Sequence, residues 1–344
     1  MGVPRVSEPA MKAAVFHALG QPLAIEDRPD PTPEADELVL KVGRCGICGS
    51  DLHMTQEPAF AVAPGSVLGH EFSGEVVARG REAEGFAVGD RVSVAPVRGC
   101  GRCAACRAGK PAWCETMMLQ GGGYAQYASA TARQCRKLPA TTSLADGALV
   151  EPLAVALHGV MLSRLEPGAR VLVLGAGPIG LGAAFWARRC GAGKVVVADV
   201  SNLQKELAHR IGATGFVTVE EDAVERVSAE LGGPPDVVFE CVGKPGILAQ
   251  ALDYVAPRGT IVMLGLCTAL DSFVPFQAVS KEVTFVASAF FNMHEFQMAL
   301  DALDGGLAPP TAMVTETVPL AQMPPAFEAL RKRTHQCKVM VEPG

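Results

Sequence analysis

Residues 171–180 read VLVLGAGPIG, and this stretch decides the fold class of the chain. A continuous apolar run of strand length comes first, and Gly175, Gly177 and Gly180 then follow in the spacing G-x-G-x-x-G. Such glycines allow a tight turn and let backbone N–H groups approach a pyrophosphate at a helix N-terminus. The spacing is a weak signal in a chain with 37 glycines. Its position between a predicted strand and a predicted helix over residues 179–190 makes it specific.

A second predicted strand, residues 195–199 (VVVAD), ends in an acid at the distance expected for a dinucleotide site. Asp199 lies about 20 residues after the glycines, where a carboxylate can accept hydrogen bonds from ribose hydroxyls. Residues 200–204 (VSNLQ) contain no Lys or Arg. A 2′-phosphate would therefore meet a carboxylate without a cationic partner, so we predict NAD as the cofactor in preference to NADP.

On either side of this motif, the sequence shows two different patterns of predicted secondary structure. Further strands at 236–243 and 260–265 alternate with helical patterns, which predicts a parallel sheet covered on both faces. Before residue 150, short alternating segments separated by glycines and prolines predict a β-rich domain. The chain closes with another predicted strand, CKVMVEP. The predicted class is α/β, with a nucleotide-binding domain inserted into a β-rich domain built from both chain ends.

Composition excludes several classes of protein. The 344 residues are 49% hydrophobic and 19% charged, enough apolar material for about two domains. A net charge of −6 argues against a nucleic-acid binder. The most apolar stretch, 171–187, is interrupted by four glycines and a proline, so we expect no membrane span. The first ten residues have no long apolar run, so we expect no secretory signal and a cytoplasmic protein.

Four of the 11 cysteines form a compact C-x2-C-x2-C-x7-C pattern. They are Cys100, Cys103, Cys106 and Cys114. Four thiolates at this spacing can close a tetrahedron around Zn²⁺ with no open position, which is the structural kind of zinc site. Cationic side chains that we expect to offset its negative charge surround it in sequence; they are Arg98, Arg102, Arg107 and Lys110.

A second candidate metal site is dispersed along the chain. Cys48 lies in CGICGSDLH, His70 and Glu71 lie in GHE, and Glu151 begins the apolar stretch EPLAVAL. A buried carboxylate in such a stretch is costly unless it is paired or bound to metal. A thiolate, an imidazole and a carboxylate can hold a catalytic zinc and leave one position for water or substrate.

The order of these motifs, CGICGSDLH, GHE, the cysteine loop, EPLAVALHG and GAGPIG followed by Asp199, resembles the zinc-dependent medium-chain dehydrogenase/reductase family. The EPLA form is most similar to its sorbitol/polyol and threonine dehydrogenase branch. The resemblance covers the chain from about Met11 and implies a Rossmann domain inserted in a GroES-like catalytic domain. We predict the following domain limits: 11–153 for the catalytic zinc domain with its structural-zinc lobe at 98–116, 154–290 for the NAD-binding domain, and 291–344 for the rest of the catalytic domain.

The resemblance also implies roles for individual residues. Cys48, rather than Cys45, is the zinc ligand because it directly precedes G-S-D. His70 and Glu71 carry over as the metal-site pair, and Glu151 either ligates the zinc or holds its water. Two zincs per chain are expected, with the catalytic residues Ser50, His53, Glu71 and Glu151, of which Ser50 and His53 relay the alcohol proton. The cofactor site is expected to comprise Gly175, Gly177, Pro178, Ile179, Gly180, Asp199, Val242 and Gly265.

The implied reaction is reversible hydride transfer between NAD and an alcohol. Met54, Phe60 and Phe290 are expected to line the substrate pocket. An apolar lining leaves polyol hydroxyls unsatisfied at about 1–3 kcal/mol each, which favours a secondary alcohol or ketone of modest polarity. The alternative is a polyol (sorbitol-type) or L-threonine-type dehydrogenase, in which case these side chains only pack within the protein.

Two other classes remain as alternatives from sequence. A reductase of activated C=C bonds or quinones shares the fold, but the zinc ligands argue against it. A zinc-binding regulatory or binding protein is disfavoured by the intact nucleotide motif. The expected partners are a small alcohol or ketone and further copies of the chain, since residues 273–279 resemble the segment through which family members pair. A homodimer or homotetramer is therefore expected, with no nucleic-acid or membrane partner.

Overall fold

A computed structural model describes residues 10–60, 62–304 and 309–344 of the chain. The strands are β1 (Ala10–Val15), β2 (Ala24–Pro29), β3 (Glu37–Gly46), β4 (Glu71–Arg79), β5 (Arg91–Val94), β6 (Val97–Arg98), β7 (Met118–Leu119), β8 (Tyr127–Thr131), β9 (Cys135–Lys137), β10 (Arg170–Leu174), β11 (Lys194–Asp199), β12 (Gly215–Thr218), β13 (Val237–Glu240), β14 (Thr260–Met263), β15 (Thr284–Ala287), β16 (Val314–Pro319) and β17 (Lys338–Glu342). The helices are α1 (Gly49–Met54), α2 (Ala104–Arg107), α3 (Leu144–Leu162), α4 (Pro178–Arg189), α5 (Lys205–Ile211), α6 (Ala223–Leu231), α7 (Ile247–Tyr254), α8 (Pro275–Lys281), α9 (Met293–Asp304) and α10 (Met323–Ala329).

Contacts divide the chain into two units. The first comprises the described residues up to Glu151 together with residues 303–304 and Val314–Gly344, and the second comprises Pro152–Ala302 with residues 309–313. Both chain ends therefore contribute to the first unit, and the second is inserted between them. The combination of a β-rich unit and a parallel α/β unit agrees with the predicted fold class.

The second unit extends farther toward the C-terminus than the predicted limit at residue 290. We expected the catalytic domain to resume at 291, but most of α9 belongs to the second unit. Two interactions within that unit explain this. Glu295 forms a buried ion pair with His158 at 2.9 Å, and Phe296 stacks on Phe291 with ring centroids 5.4 Å apart.

The first unit is built on a seven-stranded sheet with the order β16-β17-β3-β4-β5-β9, in which β8 also pairs with β3. Strands β3 and β4 are antiparallel, and Gly46 at the end of β3 lies opposite Glu71 at the start of β4. Strand β17 pairs with the same end of β3. The register thus brings the segment before Cys48, the start of β4 and the C-terminal strand to one place, beside a core of aliphatic and aromatic side chains.

The second unit contains a parallel six-stranded sheet with the order β12-β11-β10-β13-β14-β15. Its first strand, β10, has the next strands of the chain on one side and the later strands on the other. This reversal places a crevice at the carboxyl ends of β10 and β13, where open α/β sheets bind ligands.

Helix α3 is apolar and 19 residues long, and the division between the two units falls within it. Its length and composition alone would allow it to cross a membrane, although 72% of its most apolar window is buried inside the protein. The sequence prediction did not single out this helix as the longest apolar one. Its burial is typical of a core helix, and it carries Glu151 at its midpoint.

Candidate functional site

Side chains from two separate segments converge in the first unit. One ligand atom from each of Cys48, His70 and Glu71 lies within 4.8 Å of the other two. Cys48 is the residue before α1, and the other two lie at the beginning of β4. The structure therefore brings together three of the four residues predicted for a catalytic metal site, although Cys48 lies 22 positions before His70 in sequence.

A buried carboxylate orients this cluster. Asp51, in the first turn of α1, accepts hydrogen bonds from Cys48 N (3.2 Å) and the Tyr124 hydroxyl (2.6 Å), and it contacts His70 Nδ1 at 3.2 Å. Burial opposes its charge, but the imidazole together with the hydrogen bonds from Tyr124 and Cys48 N outweighs burial, and the pKa of Asp51 is lowered. With Nδ1 engaged, Nε2 of His70 is the nitrogen left for a metal, which is the usual arrangement of a metal-ligating histidine.

Glu71 has a second partner that the sequence analysis did not identify. Both of its carboxylate oxygens accept hydrogen bonds from Lys338 Nζ, at 2.7 and 2.6 Å, and the same amine donates to Ile47 O at 3.2 Å. Both side chains are almost fully buried. Burial opposes a charged amine, but the carboxylate raises the pKa of Lys338 above its usual value. The ion pair with Lys338 holds Glu71 in its position within the cluster.

Glu151 lies near this cluster but outside the group of three close ligand atoms. Burial raises the pKa of Glu151 to about 7, with a partly offsetting influence from His70 and a further upward influence from Glu71. These interactions show that its carboxyl group faces the same cluster. A carboxyl group that titrates near neutrality can take up or release a proton under working conditions.

The two residues predicted for a proton relay lie on α1. Ser50 Oγ is 3.5 Å from His70 Nε2, at the edge of the cluster. His53 lies one turn farther on, and its Nδ1 contacts Glu57 Oε1 at 2.6 Å. The structure thus puts Ser50 beside the metal-binding nitrogen and gives His53 an acidic partner.

The four cysteines of the predicted lobe also converge. Sulfur atoms of Cys100, Cys103, Cys106 and Cys114 all lie within 4.8 Å of one another. Backbone N–H groups donate to three of them at 3.3–3.5 Å, and the N–H of Cys100 lowers the pKa of Cys114 to about 6. A closed set of four sulfurs fits a structural zinc.

One expectation about this lobe is wrong. Arg98, which we expected to offset the negative charge of the cysteines, pairs with Glu37 at 2.8 Å and with Glu34 at 3.4 Å. Another cation takes a place beside the cysteines: a Cβ built on Gly101 would collide with the guanidinium of Arg133. Sequence proximity did not identify this residue, because it comes from β8 and the turn after it.

In the second unit, the glycine motif forms the turn between β10 and α4. Gly175 has φ +97°, a left-handed conformation that favours glycine. A Cβ on Gly180 would lie 1.9 Å from Gly175 O, so helix and turn pack too closely for any side chain. Gly177, in contrast, faces open space at the start of α4. This open cradle at a helix N-terminus fits a pyrophosphate.

Asp199 ends β11 and reaches back to this turn. Its Oδ2 accepts a hydrogen bond from Ala176 N at 2.7 Å, and its Oδ1 accepts one from Ser201 N at 3.2 Å. Pro178 and Ile179 form the first positions of α4. Val242 and Gly265 follow the ends of β13 and β14, at the same carboxyl edge of the sheet.

Comparison with known proteins identifies the family. The model described as alcohol dehydrogenase GroES-like domain matches residues 34–140, and the one described as zinc-binding dehydrogenase matches residues 178–305. A sorbitol dehydrogenase of Bacillus subtilis (strain 168) is 32% identical over 97% of this chain and 98% of its own length. The chain belongs to the zinc-binding dehydrogenase family.

Two solved structures of similar proteins support the same fold. A zinc-binding dehydrogenase of Sinorhizobium meliloti 1021 bound to NADP has a TM-score of 0.90 and 31% identity, covering 98% of this chain and all of that one. The 2R,3R-butanediol dehydrogenase of Bacillus subtilis has a TM-score of 0.86 and 32% identity, covering 97% of this chain and all of that one. The predicted family, fold class and enzyme class, an oxidoreductase acting on CH–OH groups, are confirmed.

The residues predicted for the substrate pocket of this dehydrogenase differ in where they lie and in how far they are buried. Met54 is 8% exposed and lies in the core of the first unit, where Phe60 packs against it. The Phe60 ring also lies 6.2 Å from the His53 ring. Phe290, in the second unit, has φ +58°, which is unusual for a bulky side chain and marks a strained turn after β15.

Sequence reasoning missed Asp51, Tyr124 and Lys338. Signals for two of them were present. Asp51 falls inside the motif CGICGSDLH, and Lys338 is a lone charge in the apolar strand CKVMV, where a buried amine requires an acidic partner. Tyr124 had no such signal, because its role depends on the fold that brings it to Asp51.

Proposed function

We propose that this dehydrogenase interconverts a secondary alcohol and its ketone with NAD as hydride carrier and one catalytic zinc. The observation that carries the proposal is the convergence of Cys48, His70 and Glu71 to within 4.8 Å, a sulfur, nitrogen and oxygen donor set. These three residues would hold the zinc through one donor atom each. The zinc would supply Lewis-acid stabilisation of the negative charge that develops on the alcohol oxygen.

Residues of the chain perform the remaining tasks. Asp51 contacts Nδ1 of His70 and so leaves Nε2 for the zinc. Lys338 holds Glu71 in place. Ser50 takes up the alcohol proton beside the cluster as it releases its own hydroxyl proton, and His53, with Glu57 as its acidic partner, is the next acceptor of the relay. Glu151 exchanges a proton or a water at the same site, since its pKa is near neutrality.

The cofactor is proposed to be NAD, bound at the carboxyl edge of the parallel sheet. The pyrophosphate lies at the open turn by Gly177, and the ribose hydroxyls are recognised by Asp199. The side chains just after Asp199 are uncharged, and the first cation of that segment is Lys205, at the start of α5. A 2′-phosphate would therefore be repelled by Asp199. Two zincs per chain are proposed, the second in the cysteine lobe.

The substrate is proposed to be less polar than sorbitol. The aromatic face of Phe60 next to His53 offers a hydroxyl-rich substrate no hydrogen bond. The named relatives span both possibilities, a sorbitol dehydrogenase and a butanediol dehydrogenase.

The metal assignment is tested with a matched pair of cysteine variants. Cys48→Ala is expected to lower bound zinc from about two to about one per chain and to abolish turnover, because a ligand is lost. Cys45→Ala, three positions earlier, is the control: Cys45 is buried and packs in the core, so this variant retains both zincs and its activity. Zinc is counted by atomic absorption after gel filtration. Normal turnover by Cys48→Ala would refute the proposed site.

Substrate and cofactor are tested with one panel. Butane-2,3-diol, cyclohexanol, sorbitol, xylitol and L-threonine are each assayed with NAD⁺ and NADP⁺. We expect the first two to give the highest kcat/KM, and NAD⁺ to exceed NADP⁺ by more than about ten-fold, the effect of one unpaired charge contact. A higher kcat/KM for sorbitol or xylitol would establish the polyol alternative instead.

The enzyme is further proposed to act in the cytoplasm as a homodimer or homotetramer. All 11 cysteines are free thiols, and the two metal sites require thiolates that a reducing compartment preserves. The second unit exposes apolar side chains around α8, among them Phe276 at 74% exposure, beside the edge strand β15. An unpaired edge next to an apolar surface is typical of a subunit interface.

A further inference from the structure

Glu240 is a buried acid that the proposed chemistry does not use. It is the last residue of β13 and lies in register with Leu174, the last residue of β10, and with Met263, the last residue of β14. Adjacent strands are about 4.8 Å apart. Glu240 is therefore one strand away from the point where the glycine turn begins, at the edge of the sheet where the dinucleotide is proposed to bind.

The carboxylate organises both neighbouring turns. Its Oε1 accepts hydrogen bonds from Val242 N at 2.7 Å and from Gly243 N at 2.8 Å. Its main-chain oxygen accepts from Leu264 N and Gly265 N at 2.8 and 2.9 Å. A Cβ on Gly265 would lie 2.7 Å from Glu240 Oε2, so the carboxylate fills the space between the turns after β13 and β14.

This buried carboxyl group has no cationic partner among the side chains of residues 10–60, 62–304 and 309–344. Glu240 is 3% exposed, and none of the ion pairs within these ranges includes it. Two backbone N–H groups compensate a buried carboxylate only in part. The contrast with Glu71, whose charge is matched by Lys338, is clear.

The order of the strands in the sheet indicates which part of the cofactor lies beside Glu240. Asp199 is on β11, to one side of β10, and the pyrophosphate cradle at Gly177 follows β10 itself. With one ribose at Asp199 and the pyrophosphate at Gly177, the nicotinamide half extends over β13 and β14. Glu240 lies on that side.

We infer that the Glu240 carboxylate is the electrostatic partner of the nicotinamide ring and strengthens the binding of NAD⁺ relative to that of NADH. The ring of NAD⁺ carries a positive charge and that of NADH is neutral, so a nearby fixed anion stabilises only the oxidised form. Glu240 is thus a positioning residue that also biases the bound cofactor toward its oxidised state. The inference rests on the proposed NAD binding.

The test measures binding, without turnover. Dissociation constants of NAD⁺, NADH and ADP-ribose are measured by calorimetry for the zinc-loaded wild type and for Glu240→Gln. Glutamine retains an oxygen that can accept from Val242 N and Gly243 N but removes the charge. We expect about five-fold weaker NAD⁺ binding, the size of one partly screened charge interaction, with NADH and ADP-ribose changed less than two-fold. Glu225→Gln, an exposed acid on α6, is the control and should change none of the three.

The possible outcomes distinguish a failure of the Glu240 inference from a failure of the proposed NAD-dependent function. Equal loss of NAD⁺ and NADH affinity would show a purely structural role and overturn the inference. An unchanged ratio would overturn it as well. A wild type that binds neither nucleotide would refute the proposed function itself. If Glu240→Gln does not fold, the wild type is titrated with the benzamide analogue of NAD, which has an uncharged ring of the same shape. Binding of this analogue as tight as that of NAD⁺ would also overturn the inference.

Discussion

Two buried carboxylates face the same cluster in the first unit, and their surroundings assign them different tasks. Glu71 lies with Cys48 and His70 within 4.8 Å, and Lys338 neutralises it. Glu151 forms no ion pair among the described residues, and burial raises its pKa to about 7 against the lowering influence of His70 and Lys338. A carboxylate held by a buried ion pair suits a metal ligand, and one that titrates near neutrality suits proton or water exchange.

This division predicts different effects of two isosteric substitutions. Glu71→Gln is expected to lose the catalytic zinc, so that the protein retains about one zinc per chain. Glu151→Gln is expected to keep about two zincs and to lose activity by a factor of about 100 or more, as for a general acid–base residue. Zinc content by atomic absorption and kcat/KM for one alcohol decide between them.

Because Glu71→Gln also leaves Lys338 as an unpaired buried charge, the double variant Glu71→Gln/Lys338→Met serves as the control. It should fold, since removing both charges of a buried pair is far less costly than removing one. Loss of the same zinc from Glu71→Gln and Glu151→Gln would contradict the assignment and make Glu151 a direct ligand.

The parallel sheet has an ion pair that ties two of its central strands together. Arg170, the first residue of β10, donates from Nη2 and Nε to Asp236 at 2.7 and 3.1 Å, and its backbone N–H donates to the same carboxylate at 2.8 Å. The hydrogen bonds from Arg170 lower the pKa of Asp236 below its usual 3.8. The pair thus fixes the register in which β10 and β13 present Leu174 and Glu240 to the nucleotide edge.

The lowered pKa sets the pH range in which this pair stabilises the fold. An acid whose pKa is lower when folded contributes its full stabilisation above its unfolded pKa and loses it as pH falls through the folded value. Asp236→Asn is expected to cost about 1 kcal/mol at pH 7, a figure reduced because the side chain is 42% exposed. The cost should shrink below pH 4. Urea midpoints at pH 7 and pH 3 measure it, with Asp222→Asn, from a more exposed pair, as the control. Equal effects of both variants at pH 7 would contradict the prediction.

The nucleotide-binding elements could be predicted from sequence because their signals are local. Strand β10, the glycine turn and α4 are contiguous, and the observed helix begins within one residue of the predicted 179. The zinc ligands could be predicted only through the order of several motifs. Pairs such as Asp51 with Tyr124 or Glu71 with Lys338 join positions 73 and 267 residues apart, and no local pattern encodes them. The inclusion of most of α9 in the second unit was not predicted for the same reason, since the pair of His158 and Glu295 joins positions far apart in sequence.

At the scale of the whole molecule, one surface of the second unit is left uncovered by the residues that the structure describes. Strand β15 is at an end of the six-stranded sheet, with β14 as its neighbour in the sheet. Nearby, Val274, Phe276 and Val279 are 60%, 74% and 70% exposed. Continuation of the sheet through β15 into a second copy would satisfy the free backbone groups and cover these side chains together.

A charge placed in this surface should therefore separate the subunits. Phe276→Asp is expected to convert the assembly to a smaller species, because an unpaired carboxylate would be buried at the contact. Val88→Asp, at a residue that is 66% exposed in the first unit, is the matched control and should leave the mass unchanged. Sedimentation velocity of both variants and the wild type gives the masses directly. A wild-type mass for Phe276→Asp would exclude this face as the interface and direct attention to the exposed Trp113 and Met118 of the cysteine lobe.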